Sequence, residues 1–275
     1  MAQKEQMTLL EHLEELRRRL FKSAVALLLC TGLCFVAAYE PLKLVLRGPL
    51  DALDPQTTNP YARHNPVVQR LRPYVANPAA DKGDGATRNV KLHQMRVTET
   101  FSVKFKLCAL AGFILGAPYL LYQVWAFIGA GLLPRERRMA LTYLPLSVGL
   151  FAAGTLFAYF VAMPLAMLFL LTVDPDIEKV LMYGEYFSML VMAVGMFGLA
   201  FQLPLVTMAL ARLGIVRAQT LRRSRRYAIV LIFVAAAILT PSPEPFSQCL
   251  LAIPMLGLFE LGIWLAAIAE RKRTA

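Results

Sequence analysis

The residues best suited to chemistry stand near the start of the chain, in Thr8-Leu-Leu-Glu-His-Leu-Glu-Glu-Leu-Arg-Arg-Arg-Leu20. Glu14 and Glu15 are adjacent carboxylates that can accept a cation or a guanidinium. Each also stands four residues before an arginine, Arg18 and Arg19 respectively. That is the spacing of an intrahelical ion pair, worth about 0.2–0.5 kcal/mol. Thr8 with Glu11 three residues on forms a capping box that starts a helix. Leu9, Leu13, Leu16 and Leu20 then make one apolar stripe, as expected of a helix lying at a membrane surface. Internal ion pairing and ligand binding are both open on these residues alone.

Three further sets carry polar groups of interest. Glu136, in Leu133-Pro-Arg-Glu-Arg-Arg138, is an acid among arginines. It either neutralises their repulsion or helps bind an incoming cation. Gln123 and Gln202 fall within apolar runs, where an amide is a functional or helix-contact candidate; for glutamine, hydrogen bonding between helices is the expected role. Glu244 and Gln248 flank a short Pro-rich turn, where a solvated acid is ordinary. No Ser, His and acid stand together, and there is no H-E-x-x-H, Gly-rich phosphate loop or internal repeat. Cys30, Cys34, Cys108 and Cys249 lie in apolar stretches and behave as small hydrophobes, with no metal-ligand spacing to His12, His64 or His93. An enzyme, a metal site and a resident cofactor are therefore not expected.

The elements that must hold these groups are apolar helices. The chain has 275 residues, 57% of them hydrophobic, and a formal net charge of +11. That apolar share exceeds the usual 45–50% of soluble domains. The basic residues sit at the edges of apolar runs, which orients membrane helices and does not suggest nucleic acid. Spanning the hydrocarbon takes about 17–25 apolar residues. Six runs meet or approach this: 20–39, 106–130, 140–162, 187–211, 227–239 and 246–267. The fifth is short, and Thr240-Pro-Ser-Pro-Glu-Pro245 turns it into the sixth as a tight hairpin. Residues 17–38 have some features of a signal peptide, but the acidic segment before them favours a retained first span.

Arginines cluster at 17–19, 135–138, 212–226 and 271–273, in short segments that share one side if both termini are cytoplasmic. The basic loop 40–104 is long enough to cross regardless of its charge. The expected fold is thus all-α: a polytopic integral membrane protein of six transmembrane helices, N-in and C-in. Residues 1–19 form a cytoplasmic amphipathic helix, 20–267 the transmembrane domain and 268–275 a basic cytoplasmic tail. Pro118, Pro145, Pro164, Pro204 and Pro254 would kink the spans into a curved, concave wall. Without further information, a secondary transporter or channel stands beside a receptor as a reading, although the strongest charges lie at the rim and not the midplane.

Several segments together resemble the TatC family. They are His12-Leu-Glu-Glu-Leu-Arg-Arg-Arg-Leu20, Gly48-Pro-Leu50, Ala117-Pro-Tyr-Leu-Leu-Tyr-Gln-Val-Trp-Ala-Phe127 and Glu136-Arg-Arg138. Phe157-Ala-Tyr-Phe160, Phe201-Gln-Leu-Pro204, Leu239-Thr-Pro241 and Phe246-Ser-Gln-Cys-Leu-Leu-Ala-Ile-Pro254 continue the match. The resemblance implies a receptor for twin-arginine signal peptides in the bacterial cytoplasmic (inner) membrane. It would export folded proteins on the proton-motive force, with no nucleotide. Implied partners are the single-span proteins TatA and TatB, signal peptides of folded cargo, other copies of itself and membrane lipid.

By the same resemblance Glu15 and Glu136 match the two acids that receive the signal peptide's arginines. Arg17 and Phe127 match residues of that site, and Pro49 a proline of the periplasmic cap. Gln202, Glu244 and Gln248 match positions of intramembrane polar or partner-helix contact. Two segments depart from the family pattern: extra residues between about Thr57 and Val90, and Pro-Ser-Pro-Glu-Pro245 where relatives have a tighter turn.

Overall fold

A computed structural model describes residues 9–51, 92–93, 97–130, 142–172, 181–239 and 245–274. Ten helices account for nearly all of the described residues. These are α1 (Leu9–Ala37), α2 (Tyr39–Asp51), α3 (Val97–Ala130), α4 (Leu144–Phe157) and α5 (Met163–Thr172), followed by α6 (Tyr183–Ala200), α7 (Leu203–Arg212), α8 (Ala218–Arg223), α9 (Arg225–Leu239) and α10 (Pro245–Thr274). Among the described residues, a two-residue parallel pairing joins β1 (Leu92–His93) to β2 (Leu181–Met182). It adds a backbone tie between the segments that precede α3 and α6.

Among the described residues, five segments are long and apolar enough to cross a membrane: Leu13–Ala37, Thr98–Ala130, Leu144–Met167, Tyr183–Arg212 and Leu251–Glu270. The fifth of the six expected spans is α9, which has 15 residues. At 1.5 Å per residue it reaches about 22 Å, against roughly 30 Å of hydrocarbon. Leu13, Leu20, Phe21, Leu28, Leu29, Leu33 and Val36 of α1 are all exposed. An outward apolar face of that extent requires lipid, since water would not tolerate it.

Proline sets the breaks within two spans. Pro164 offers no N–H and its ring would press on the carbonyl of Phe160. The helix widens just before it, in a π turn over Ala158–Ala162, where the Met163 N–H donates to the Ala158 carbonyl. Pro204 likewise cannot donate to Ala200, and the chain breaks at Phe201-Gln202 between α6 and α7. Gln202 carries the break: its carbonyl accepts the N–H groups of Leu205 and Val206, at 3.1 and 2.9 Å. The end of α7 is closed by Gly214, whose φ of 76° suits glycine and lets Ile215 N–H reach back to Leu210.

α1 and α3 run antiparallel. Arg19 meets Gln123, Thr31 lies against Gly112, and Cys34 shares a buried cluster with Cys108 and Ala111. The main core joins α2, α3, the π turn, α5, α6, α9 and α10 around Leu107, Met163, Met167, Tyr186, Phe187 and Phe197. Small residues bring helices close: Ala158, Ala236, Ala252 and Ala266 are fully buried. That is the packing expected where lipid removes the hydrophobic drive between helices and close contact replaces it. α10 outruns α9 and packs on α7 and α8, where Ala211, Ala218 and Ala266 meet.

Candidate functional site

Antiparallel packing places the start of α1 and the end of α3 at one end of the molecule. There Glu15 Oε1 accepts from Arg19 Nη2 at 2.5 Å, with the two side chains about one-fifth exposed. Arg19 Nη1 donates to Gln123 Oε1 of α3 at 3.2 Å, and Gln123 is 6% exposed. Arg19 Nε is buried without a partner among the described residues. The i, i+4 spacing therefore produces the ion pair that local geometry suggests, and a second helix fixes it. A carboxylate held this way at a partly dehydrated rim favours guanidinium, whose planar fork suits two acceptor oxygens.

Around this pair, Glu14, Arg17 and Arg18 are exposed on α1. Phe127 stands one turn beyond Gln123 on α3 and is half-buried. Trp125 is buried against Tyr143, with ring centroids 5.7 Å apart. Arg212, at the end of α7, donates to the Tyr143 hydroxyl at 2.8 Å. Ala218 N–H, at the start of α8, donates to Glu270 of α10 at 3.2 Å. Arg217, Arg222 and Arg223 are exposed nearby in the chain. The Glu15 end thus gathers the short arginine-rich segments of α1, α7 and α8 and the last turns of α10. The chain also leaves α3 from this end, at Ala130; Glu136 lies outside the described residues, as does Glu244.

The other sequence-predicted residues lie apart from Glu15. Pro49 is in the last turn of α2, a helix tied to the opposite end by Tyr186 Oη donating to the Leu46 carbonyl at 3.0 Å. Gln202 exchanges two hydrogen bonds with Ser147 of α4: Ser147 Oγ donates to Oε1 at 2.6 Å, and Nε2 donates to the Ser147 carbonyl at 3.0 Å. Gln248 Nε2 donates to the Phe233 carbonyl at 2.8 Å and so joins α10 to α9. Both glutamines act as contacts between helices. Ser147 is fully buried, so Ser147→Ala leaves the Gln202 side-chain Oε1 without the Ser147 donor. We expect a loss of about 1–3 kcal/mol, read as a lower melting temperature in detergent.

Two further contacts join helices that are distant in sequence. Glu99 of α3 accepts from the Gly184 N–H at 2.5 Å and caps the start of α6 from another helix. Glu260 of α10 pairs with Arg225 at 2.7 Å, both side chains half-exposed. A search for acids inside apolar runs would have found Glu260, which stands within the Leu251–Glu270 span. Among the described residues no three His, Cys, Asp or Glu side chains are grouped to hold a metal ion.

Comparison with known proteins shows the family to which the fold belongs. Residues 11–254 match the family described as Sec-independent protein translocase protein (TatC). A TatC of Carboxydothermus hydrogenoformans is 33% identical over 97% of this chain and 95% of its own length. The Azotobacter chroococcum TatC is 36% identical over 98% and 93%, and the TatCy of Bacillus subtilis 32% over 97% and 91%. A crystal structure of the twin arginine translocase receptor TatC superposes with a TM-score of 0.75 at 32% identity, covering 94% of this chain and 99% of that one. With the family matched across almost the whole chain and the fold shared with its solved receptor, this protein belongs to the TatC family.

Proposed function

We propose that the chain is the signal-peptide receptor and core subunit of a twin-arginine translocase, which passes folded proteins across the membrane. The observation that carries this is the Glu15 carboxylate, held by a guanidinium at the rim of the α1–α3 pair. Such a carboxylate is built to exchange one arginine for another. Glu136, in the segment that follows α3, is the second acid, and Arg17 and Phe127 border the same site. Pro49 belongs to a cap at the opposite end.

The Glu15 end faces the cytoplasm, because the short arginine-rich segments gather there and short basic segments stay inside. Both termini are then cytoplasmic, and the membrane is the bacterial cytoplasmic (inner) membrane. TatA and TatB, further copies of this chain and lipid complete the assembly, which draws on the proton-motive force. Gln202, Glu244 and Gln248 are the positions of partner-helix or intramembrane polar contact.

A photoreactive phenylalanine analogue at position 127 tests the site. In membranes it should capture a labelled peptide bearing Arg-Arg and leave a matched Gln-Gln peptide at background. Equal capture of both peptides, or of neither, would overturn the assignment.

A further inference from the structure

We propose that a buried polar cluster at the end of the molecule opposite Glu15 is a phosphate site, and that it takes the headgroup of a membrane phospholipid. Its residues are Tyr39 and Arg47 of α2, Lys104 of α3 and Tyr183 of α6. It is separate from the signal-peptide site.

The cluster holds polar atoms that the protein leaves unmet. Tyr183 is only 9% exposed. Its hydroxyl lies close to that of Tyr39, with Arg47 and Glu40 within electrostatic reach. Yet the Tyr39 and Tyr183 hydroxyls and Arg47 Nε are all buried without a partner among the described residues. Buried polar atoms are nearly always paired, because an unmet one forfeits its hydration. Neighbouring tyrosines follow that rule: Tyr186 donates to the Leu46 carbonyl at 3.0 Å, and Tyr159 to that of Val45.

Charge decides what would complete the cluster. Lys104 Nζ lies over the rings of Phe35 and Tyr39, 4.5 and 4.8 Å from their centroids. Among the described residues neither Lys104 nor Arg47 forms an ion pair. Glu40 is exposed, and Glu99 is engaged by the Gly184 N–H. A water molecule would satisfy the hydroxyls and leave two cations unbalanced. A phosphodiester carries one negative charge on two free oxygens, which accept from phenol, ammonium and guanidinium alike.

The place in the fold favours a lipid as the source of that phosphate. Tyr39 stands just past the Leu13–Ala37 span, Tyr183 opens the Tyr183–Arg212 span and Lys104 lies near the start of the Thr98–Ala130 span. All are thus at headgroup level, where tyrosines collect. From there Val36, Leu33 and Leu29 run toward the middle of α1 on one face, and all three are exposed. A lipid whose phosphate enters the cluster has that apolar strip for its acyl chains.

The test measures melting temperature on full-length, delipidated protein in detergent. Added phosphatidylglycerol should raise it by about 5 °C near saturation, while diacylglycerol with the same chains should not. Tyr183→Phe deletes one unmet oxygen, so without lipid it should melt at or above the parent temperature. It should weaken apparent lipid affinity about tenfold, as expected for a hydrogen bond to a charged group, and Arg47→Gln should do likewise. Tyr39→Phe is the substitute should Arg47→Gln fail to fold. Arg226→Gln, an exposed arginine at the other end, should leave the response unchanged. Equal lipid responses in the parent, Tyr183→Phe and Arg47→Gln would overturn the site. So would an equal loss in Arg226→Gln, which would mean that general surface charge holds the lipid. A full response to millimolar inorganic phosphate would overturn the lipid as its occupant.

Discussion

Glu15→Lys should weaken binding of a twin-arginine peptide by two orders of magnitude or more and stop export, whereas Glu14→Lys should change either by less than about threefold. The two acids are neighbours in sequence and differ in what surrounds them. Glu15 turns toward α3 and its side chain is only 22% exposed. Glu14 faces outward and is exposed, where solvent and salt screen a single charge within about 10 Å. Truncating one member of a partly desolvated, hydrogen-bonded charge pair costs about 2–5 kcal/mol. At about 1.4 kcal/mol per factor of ten, this corresponds to about thirtyfold to several thousandfold. Charge reversal adds repulsion between the new ammonium and the incoming arginines. It also removes the acceptor of Arg19, which then has Gln123 as its remaining named partner. Isothermal titration of the peptide into protein in nanodiscs gives the affinity, and transport of a folded reporter gives the export. Comparable losses from both variants would mean that bulk charge, and not the placed carboxylate, carries recognition.

The contrast between these two glutamates shows which parts of the site are readable from sequence. The i, i+4 step from Glu15 to Arg19 is local and predictable. The clamp from Gln123 is not, because the two residues stand 104 positions apart, and only the antiparallel docking of α1 on α3 brings them together. The leucine stripe is instructive for a different reason. Leu13, Leu16 and Leu20 share a face as their spacing requires, yet all three are exposed. In water that stripe would mark the core-facing side. In lipid an apolar face can point outward, and the helix turns Glu15 and Arg19 toward its neighbour. Periodicity therefore identifies the faces correctly without saying which one is inside.

Five of the six expected spans were legible for a related reason, since the length of an apolar run is set by bilayer thickness and needs no knowledge of packing. Gln202 was also legible as a contact between helices, because a buried amide in lipid must find a partner. Its partner Ser147 was not legible, as serines are common in apolar helices and carry no distinctive spacing. Glu260 stands out as an acid in an otherwise apolar run, but its partner Arg225, on the antiparallel neighbour, carries no sequence signal. In each case the type of group was apparent, and the unknown was the tertiary partner that sequence separation conceals.

Because the site is assembled by two helices, its integrity depends on how closely they approach, and Gly112 controls that approach. A Cβ added at Gly112 would lie 2.5 Å from Thr31 Oγ1, 2.6 Å from Thr31 N and 2.7 Å from Thr31 Cα. Two of those atoms are backbone and cannot rotate away, so α1 must move as a body. Overpacking of this kind typically costs about 1–3 kcal/mol, and Gly112→Leu, with three more carbons to place, should exceed that range. The expected result is a fall in melting temperature of several degrees or more and loss of export, with peptide affinity falling as Gln123 draws away from Arg19. Gly116→Ala is the matched control on the same helix. Its added Cβ would meet Cys30 Sγ at 3.8 Å, ordinary contact, so stability and export should stay near those of the parent. If Gly112→Leu were as well tolerated as Gly116→Ala, the close crossing of α1 and α3 would not be what holds Glu15 in place. The receptor acid would then have to be positioned by α1 alone.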